Sequence, residues 1–354
     1  MLYFSKDFEK GMGGVNHKAQ YNHVTQMRNA FWKANAHLVE TNRGQSGFTG
    51  NAAAIIPQDV YREFENQTKQ LMRANNLTLM NDLMPLAKSL PVGKVEHIYR
   101  RASDSGIVTS SLSGQTPAEL DKADYDYDSS IKVIHQTSFG RQWMEMEGQR
   151  SEGFDGLIDD QANAVRAMQD KIADHIYNGV DVSFKGTSAY GIKTSTKTVD
   201  VDLDADGLNI NFATSTDTAA IRKAWISMRD SLRITNNVAN DITWYISAEI
   251  ESNFEQYYGT DAGDSGKTVL QTLRELAGVA DIKMDRSLSG NEVVGVVLDS
   301  MFIRPLVGMA VTTVPLQRFN PFDNYNFLTW SNVGLEIKSD YTGKSGVLYA
   351  REIP

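Results

Sequence analysis

The stretch Phe154 to Gly179, FDGLIDDQANAVRAMQDKIADHIYNG, constrains the fold more than any other. Phe154, Leu157, Ile158, Ala162, Val165, Met168, Ile172 and Ile176 recur mostly at three- or four-residue steps, which puts them on one face of an α-helix. Asp155, Asp159, Asp160, Arg166, Gln169, Asp170 and Asp174 take the remaining surface. Three of these aspartates stand near the start, where the helix dipole favours negative charge. No proline interrupts the run. Asn178-Gly179 marks its end, because both residue types tolerate the left-handed conformation that closes helices. At a rise of about 1.5 Å per residue the helix is roughly 35–40 Å long. That spans a small domain, so other elements are expected to pack along it.

A chain of 354 residues has room for about two domains around such a spine. The formal charge of −9 argues against a nucleic-acid coat held on by basic residues. The absence of cysteine excludes disulfides and thiolate metal sites. The opening MLYFSKDFEK carries Lys6, Asp7, Glu9 and Lys10 and no apolar core, so no signal peptide is expected. The most apolar run, Val293 to Val314, is broken by Asp299 and Arg304 and is too short between charges to cross a bilayer.

Residues 1–54 are rich in Asn, Gln, Gly and His. Lys6, Lys10, Lys18, Arg28, Lys33 and Arg43 outnumber Asp7, Glu9 and Glu40. Such a segment buries too little surface alone to offset its ordering entropy, and it is expected to be an arm that orders against something else, with a short helix from Val24 to His37. Pro57 opens a helical pattern through Val60, Tyr61, Phe64, Thr68 and Leu71. From Val92 to Phe139 the period changes to two. VGKVEHIYRR, GIVTSSL and SSIKVIHQTSF predict strands of a long extended hairpin, with the polar stretch SGQTPAELDKADYDYDSS inside it. Glu119, Asp121, Asp124, Asp126 and Asp128 crowd that stretch, with only Lys122 among them. Phe139 to Arg150 leads into the spine. Beyond Gly179 the pattern predicts a helix over 217–232 with Thr216 as N-cap, a strand at 242–247, helices over 248–258 and 268–276, and strands at 281–284 and 292–298. The end is β, with a buried strand at 305–314 and alternating residues from Tyr325 to Ile337.

Candidate chemistry is weak. Asp202-Leu203-Asp204-Ala205-Asp206-Gly207 has the first half of a calcium loop, but Ala213 stands where the closing glutamate belongs, and the flanks read as strands; an acidic turn is expected. Gly263-Asp264-Ser265-Gly266-Lys267-Thr268 ends like a phosphate-binding loop, yet Asp261 replaces its first glycine and a helix precedes it in place of a strand. The serine in that loop lacks the two-barrel β setting of a chymotrypsin-like protease. The six histidines show no metal spacing, and His175 reads as a half-exposed residue near a helix end. Gly11-Met12-Gly13-Gly14 is not set between a strand and a helix. No catalytic residue, cofactor or metal is expected.

The order of polar arm, acidic hairpin, spine helix ending Asp174-His175-Ile176-Tyr177-Asn178-Gly179, mixed α/β unit and terminal strands resembles the major capsid proteins of tailed double-stranded DNA phages. Residues 130–179, SIKVIHQTSFGRQW through IYNG, carry the likeness most clearly, and the element order extends it over about 55–354. The resemblance implies an α+β Hong Kong 97-type fold. It divides the chain into an N-terminal arm (1–54), a peripheral domain (55–92, 140–190 with the spine helix, and 306–354), an extended E-loop (93–139) and an axial domain (191–305). It implies a virion protein without enzymatic activity, assembled in the host cytoplasm into pentamers and hexamers of an icosahedral head. Its implied partners are copies of itself, a separate scaffolding protein, a portal, and packaged double-stranded DNA without sequence-specific contact. No membrane is involved. Encapsulin shells share the fold and are the alternative; a nucleotide-binding α/β enzyme using Gly263–Thr268 is the alternative of another class. In this family the E-loop lies across a neighbouring subunit, so Glu119, Asp121, Asp124, Asp126 and Asp128 are candidates to meet Arg28, Lys33 and Arg43 of the arm. Lysines 94, 122 and 132 are available for the cross-linking seen in some members, but nothing marks one of them.

Overall fold

The computed structural model describes residues 22–30, 33, 77–113, 115, 117, 120–152, 156–204, 208–257 and 266–352. The chain forms two units, Met1–Lys69 and Gln70–Pro354. In the first, residues 22–30 and 33 are helical, overlapping the helix expected from Val24 to His37 and starting two residues before it. The pattern from Pro57 to Leu71 lies outside the described residues.

The second unit runs α1 (Thr78–Leu83), β1 (Lys88–Ser89), β2 (Glu96–Ala102), β3 (Tyr125–Ile131), β4 (Val133–Arg141), α2 (Trp143–Glu152) and α3 (Gly156–Asn178). There follow β5 (Val180–Phe184), β6 (Thr187–Ala189), β7 (Val199–Asp202), α4 (Thr218–Asp230), β8 (Ile242–Ile246), α5 (Ala248–Phe254) and α6 (Val269–Arg274). The chain closes with β9 (Val279–Met284), β10 (Val293–Val296), β11 (Ile303–Pro315), β12 (Tyr325–Ile337) and β13 (Val347–Arg351).

The spine helix α3 lies against a four-stranded sheet ordered β1-β11-β12-β4. Met168, Ile172 and Ile176 are buried, as their spacing predicts. Ile158 is not: it is 64% exposed, because burial along the helix becomes regular only from Ala164 onward. Spacing sets a face, but not how far the partner extends beneath it. The helix ends as its last two residues predict. Gly179 has φ +75°, and its N–H donates to the His175 carbonyl at 2.9 Å. A Cβ there would lie 2.6 Å from the Ala189 carbonyl oxygen.

The five-stranded sheet is ordered β7-β13-β10-β8-β9. Every residue of β8 and β10 is buried, since apolar layers cover both faces. One layer holds Phe212, Trp225 and Phe254, with Trp225 and Trp244 5.0 Å apart between centroids. In the other layer Tyr245, Val294, Val296 and Val347 pack with Met168, Ile172 and Ile176 of the spine. The cap of α4 is Asp217, not Thr216; its carboxylate accepts from the Ala219 and Ala220 N–H groups at 2.9 and 3.1 Å.

Two boundaries differ from expectation. The segment 306–354 is divided: β11 and β12 build the four-stranded sheet, while β13 pairs with β10 and β7 in the other. Its residues Val347 to Ala350 are buried, which suits a strand between two neighbours. The stretch SSIKVIHQTSF is likewise two strands, not one. Up to Ile131 it pairs with β2, and from Val133 it pairs with β12. GIVTSSL has no strand structure.

Candidate functional site

Strands β2 and β3 form a two-stranded sheet of their own, in register from Glu96 opposite Ile131 to Ala102 opposite Tyr125. Beyond that pair the limbs continue without strand structure, tied by Ser103 N to Asp124 O (2.8 Å), Asp124 N to Ser103 Oγ (2.8 Å) and Gly106 N to Asp121 Oδ2 (3.0 Å). Ile107, Val108, Leu112 and Leu120 are exposed there, Val108 to 89%. Apolar side chains so displayed gain nothing from their own fold.

The base of the hairpin is polar and specific. Lys132 is the single residue between β3 and β4. Its N–H donates to Val95 O at 3.0 Å and its ammonium to Pro91 O at 2.8 Å, which ties together the two chain segments entering the hairpin. Burial lowers the pKa of this amine. Farther out, His97 Nδ1 lies 2.5 Å from Oε1 of the fully buried Glu336, whose Oε2 accepts from Arg304 Nε at 2.5 Å. Lys88 Nζ is 2.9 Å from His97 Nε2. An ammonium only donates, so Nε2 accepts and Nδ1–H faces Glu336. The Ser339 N–H donates to Tyr99 Oη at 3.2 Å, and Arg101 donates to Ser339 Oγ at 3.2 Å.

The acids fall into two groups. Asp126 pairs with Arg101, and Asp128 accepts from Tyr99 Oη at 2.9 Å and Lys197 Nζ at 2.7 Å. Burial raises the Asp128 pKa, but Lys197, Tyr99 and the Ser129 N–H outweigh it and hold the carboxyl below its usual range. The Tyr127 N–H, then Arg101, lower that of Asp126. These two aspartates therefore serve the hairpin's own seat. Asp121 and Asp124 are exposed farther along; among the described residues the Asp121 carboxylate accepts from the backbone N–H groups of Gly106 and Lys122. Glu119 lies outside the described residues. So does Arg43, while Arg28 and Lys33 are exposed on the helical residues of the first unit. Sequence pattern missed Arg101 and Lys197. The first needs the strand register, and the second lies across the fold with no local signal.

The discounted motifs stay apart from this site. Lys267 pairs with Glu275, and Thr268 caps α6 through Gln271; residues 258–265 lie outside the described part. Asp204 N donates to Asp202 Oδ1 at 3.0 Å, and residues 205–207 are not described. Among the described residues no group of three His, Cys, Asp or Glu could hold a metal ion. His175 is buried, not half exposed. No helix among the described residues is long and apolar enough to cross a membrane.

The model of a family of unknown function, DUF6260, matches residues 51–350. No curated protein matches the sequence. Among solved structures, the capsid of Myoviridae phage XM1 superposes with a TM-score of 0.63 at 12% identity, over 85% of this chain and 99% of that one. The capsid of a native GTA particle gives 0.61 at 11% identity, over 87% and 100%. A structure from Mycobacterium phage Ogopogo gives 0.53 at 12%, over 84% and 100%. The fold is the Hong Kong 97-type capsid fold, α+β, with the extended hairpin and spine helix described above.

Proposed function

This chain belongs to the DUF6260 family, and we propose that it is a major capsid protein that self-assembles into the pentamers and hexamers of an icosahedral phage head around double-stranded DNA. The observation that carries this reading is the hairpin. Its base is fastened by residues from five strands and several loops, while its outer part displays Ile107, Val108, Leu112 and Leu120 to solvent. A lone soluble protein gains nothing from a long arm built that way; a subunit that lays the arm on its neighbour does. The role is structural, not catalytic. On this reading residues 93–139 contain the E-loop, the four-stranded sheet with α3 is the peripheral domain, and the five-stranded sheet with its helices is the axial domain. Residues 1–54 act as the arm. Scaffold and portal are separate proteins, assembly takes place in the host cytoplasm, and the DNA is held without sequence-specific contact.

Asp121, Asp124 and Glu119 are the hairpin acids proposed to meet basic groups of an adjacent subunit, with Arg28, Lys33 and Arg43 as their partners. The test is purification of the expressed chain followed by negative-stain microscopy and nucleic-acid analysis. Closed particles of uniform size are expected from the wild type, and Asp121→Lys with Asp124→Lys should leave a folded subunit that assembles poorly. A chain that stays monomeric under all assembly conditions refutes the shell reading. Particles that enclose protein cargo and no DNA in the infected host would make it an encapsulin.

A further inference from the structure

The spine helix is tied to strand β4 at two heights. Near its start Arg141 Nε lies 2.5 Å from Asp160 Oδ2, and the same guanidinium donates to the Gly156 carbonyl at 3.3 Å. Near its end His135 Nε2 lies 3.0 Å from His175 Nδ1, with the rings edge to face. Both histidines are buried, to 8% and 2% exposure. Among the described residues the other nitrogen of His175, Nε2, is buried without a hydrogen-bond partner. Opposite His135 across the strand pair stands Ser331, whose buried hydroxyl also lacks one.

A neutral pair carries one N–H on each ring, and one of the two makes the shared hydrogen bond. A further proton is poorly placed on His175. It makes both nitrogens of that ring donors and leaves a buried cationic Nε2–H with no acceptor among the described residues, and if both rings are charged two N–H groups face each other across the contact. The charged groups nearby do not rescue it. Lys171, on the same helix, opposes a positive imidazole. Asp174 favours one, but its carboxylate already accepts from Lys171 and Asn178 at 2.7 and 2.6 Å. On β12 and β11, Glu336 and Arg304 are engaged with each other, and Ser331 carries no charge.

We infer that the His135–His175 contact is an acid-operated latch. Neutral, it holds the last turns of the spine helix on β4. On taking up a proton it releases them, together with residues 192 and 193, whose N–H groups hang on the Ile176 and Tyr177 carbonyls at 2.9 and 2.8 Å. This is a property of the single chain and does not depend on the proposed role. Burial first, then His135 and Lys171, hold the His175 pKa down to about 4, and burial lowers that of His135 as well. The folded form thus binds protons less readily than the unfolded form, where histidine titrates near 6.5. Its contribution is fully present above about pH 6.5 and is lost as the pH falls toward about 4.

The test is hydrogen exchange of the amides of residues 168–178 in the unassembled full chain, corrected for intrinsic rates. The opening constant should rise up to about tenfold per pH unit, and about 20-fold between about pH 7 and about pH 5. His175→Asn keeps an acceptor in place of Nδ1 and should lose most of that rise. Equal slopes in the two proteins overturn the latch. If the variant does not fold, nuclear magnetic resonance of ring-labelled histidine in the wild type decides. A His175 signal that does not titrate above about pH 5 supports the latch, and one that titrates near 6.5 overturns it.

Discussion

Ile172→Ala probes the packing on which both sheets depend. Ile172 is 1% exposed and belongs to the apolar layer shared by the spine helix, β8, β10, β12 and β13. The substitution removes three carbon atoms, about 2.4 kcal/mol at roughly 0.8 kcal/mol each. The rigid strands on either side limit collapse, so a residual cavity of about 50 Å³ adds roughly 1 kcal/mol. Alanine's better helix propensity returns a few tenths. The expected loss is about 3 kcal/mol, read as a shift of the urea midpoint of the unassembled subunit at unchanged slope. Ile158→Ala is the control on the same helix. That side chain is 64% exposed, so its loss should stay below about 1 kcal/mol. Lys171→Ala, which breaks only an exposed pair with Asp174, should cost less than about 0.5 kcal/mol. If Ile158→Ala costs as much as Ile172→Ala, the assignment of the buried face is refuted.

Gly179→Ala forces a left-handed residue against the Ala189 carbonyl and should cost about 2–4 kcal/mol in the same unfolding series; a loss within 0.5 kcal/mol, roughly the scale of a surface substitution, would show that the turn relaxes freely. Asp128→Asn keeps the shape of the hairpin seat but removes the charge facing Lys197, so amides of residues 96–131 should exchange about tenfold faster at neutral pH. The wild-type advantage should fade below about pH 4, because a carboxyl with a lowered folded-state pKa contributes only while it is ionised. Lys267→Ala should leave particle formation unchanged, with no ATP binding by calorimetry in either protein; micromolar binding abolished by the substitution would restore the nucleotide reading.

What the sequence made legible follows the range of each signal. The spine helix, its Asn178-Gly179 stop and the helix over 218–230 come from local periodicity and backbone preference, and all are present. The break at Lys132 was not legible, because alternation continues through it while the pairing partner changes from β2 to β12. Strand pairing is a long-range property, and residues 131 and 133 look alike to any local rule. The same limit hid which sheet β13 joins, since its apolar run fits either until β10 and β7 claim it. His175 was misread for a related reason. A polar residue near a helix end is usually solvated, and only the partner strand, forty residues earlier, brings His135 beneath it.

The division among the hairpin acids follows from position along the arm. At the base, Asp126 and Asp128 face Arg101 and Lys197; Asp128 is partly buried, which makes its charge costly unless it is paired, while Asp126 is held by Arg101 at the exposed edge. Toward the tip, Asp121 and Asp124 are exposed, where like charges cost little and an intrachain partner would gain little. A run of acids that looks uniform in sequence is therefore split: the inner pair is engaged within the chain, and on the proposed reading the outer acids are left for an adjacent subunit. Each exposed contact contributes only about 0.2–1 kcal/mol. In a closed shell the same contact recurs in every subunit, so terms too small to fold one chain decide whether many chains assemble. Screening by salt should then weaken assembly at concentrations that leave the folded subunit unchanged, since Asp128 and Lys197 are largely shielded and the outer acids are not. Equal salt sensitivity of wild-type assembly and of the Asp121→Lys, Asp124→Lys variant would show that the outer charges only keep the arm soluble.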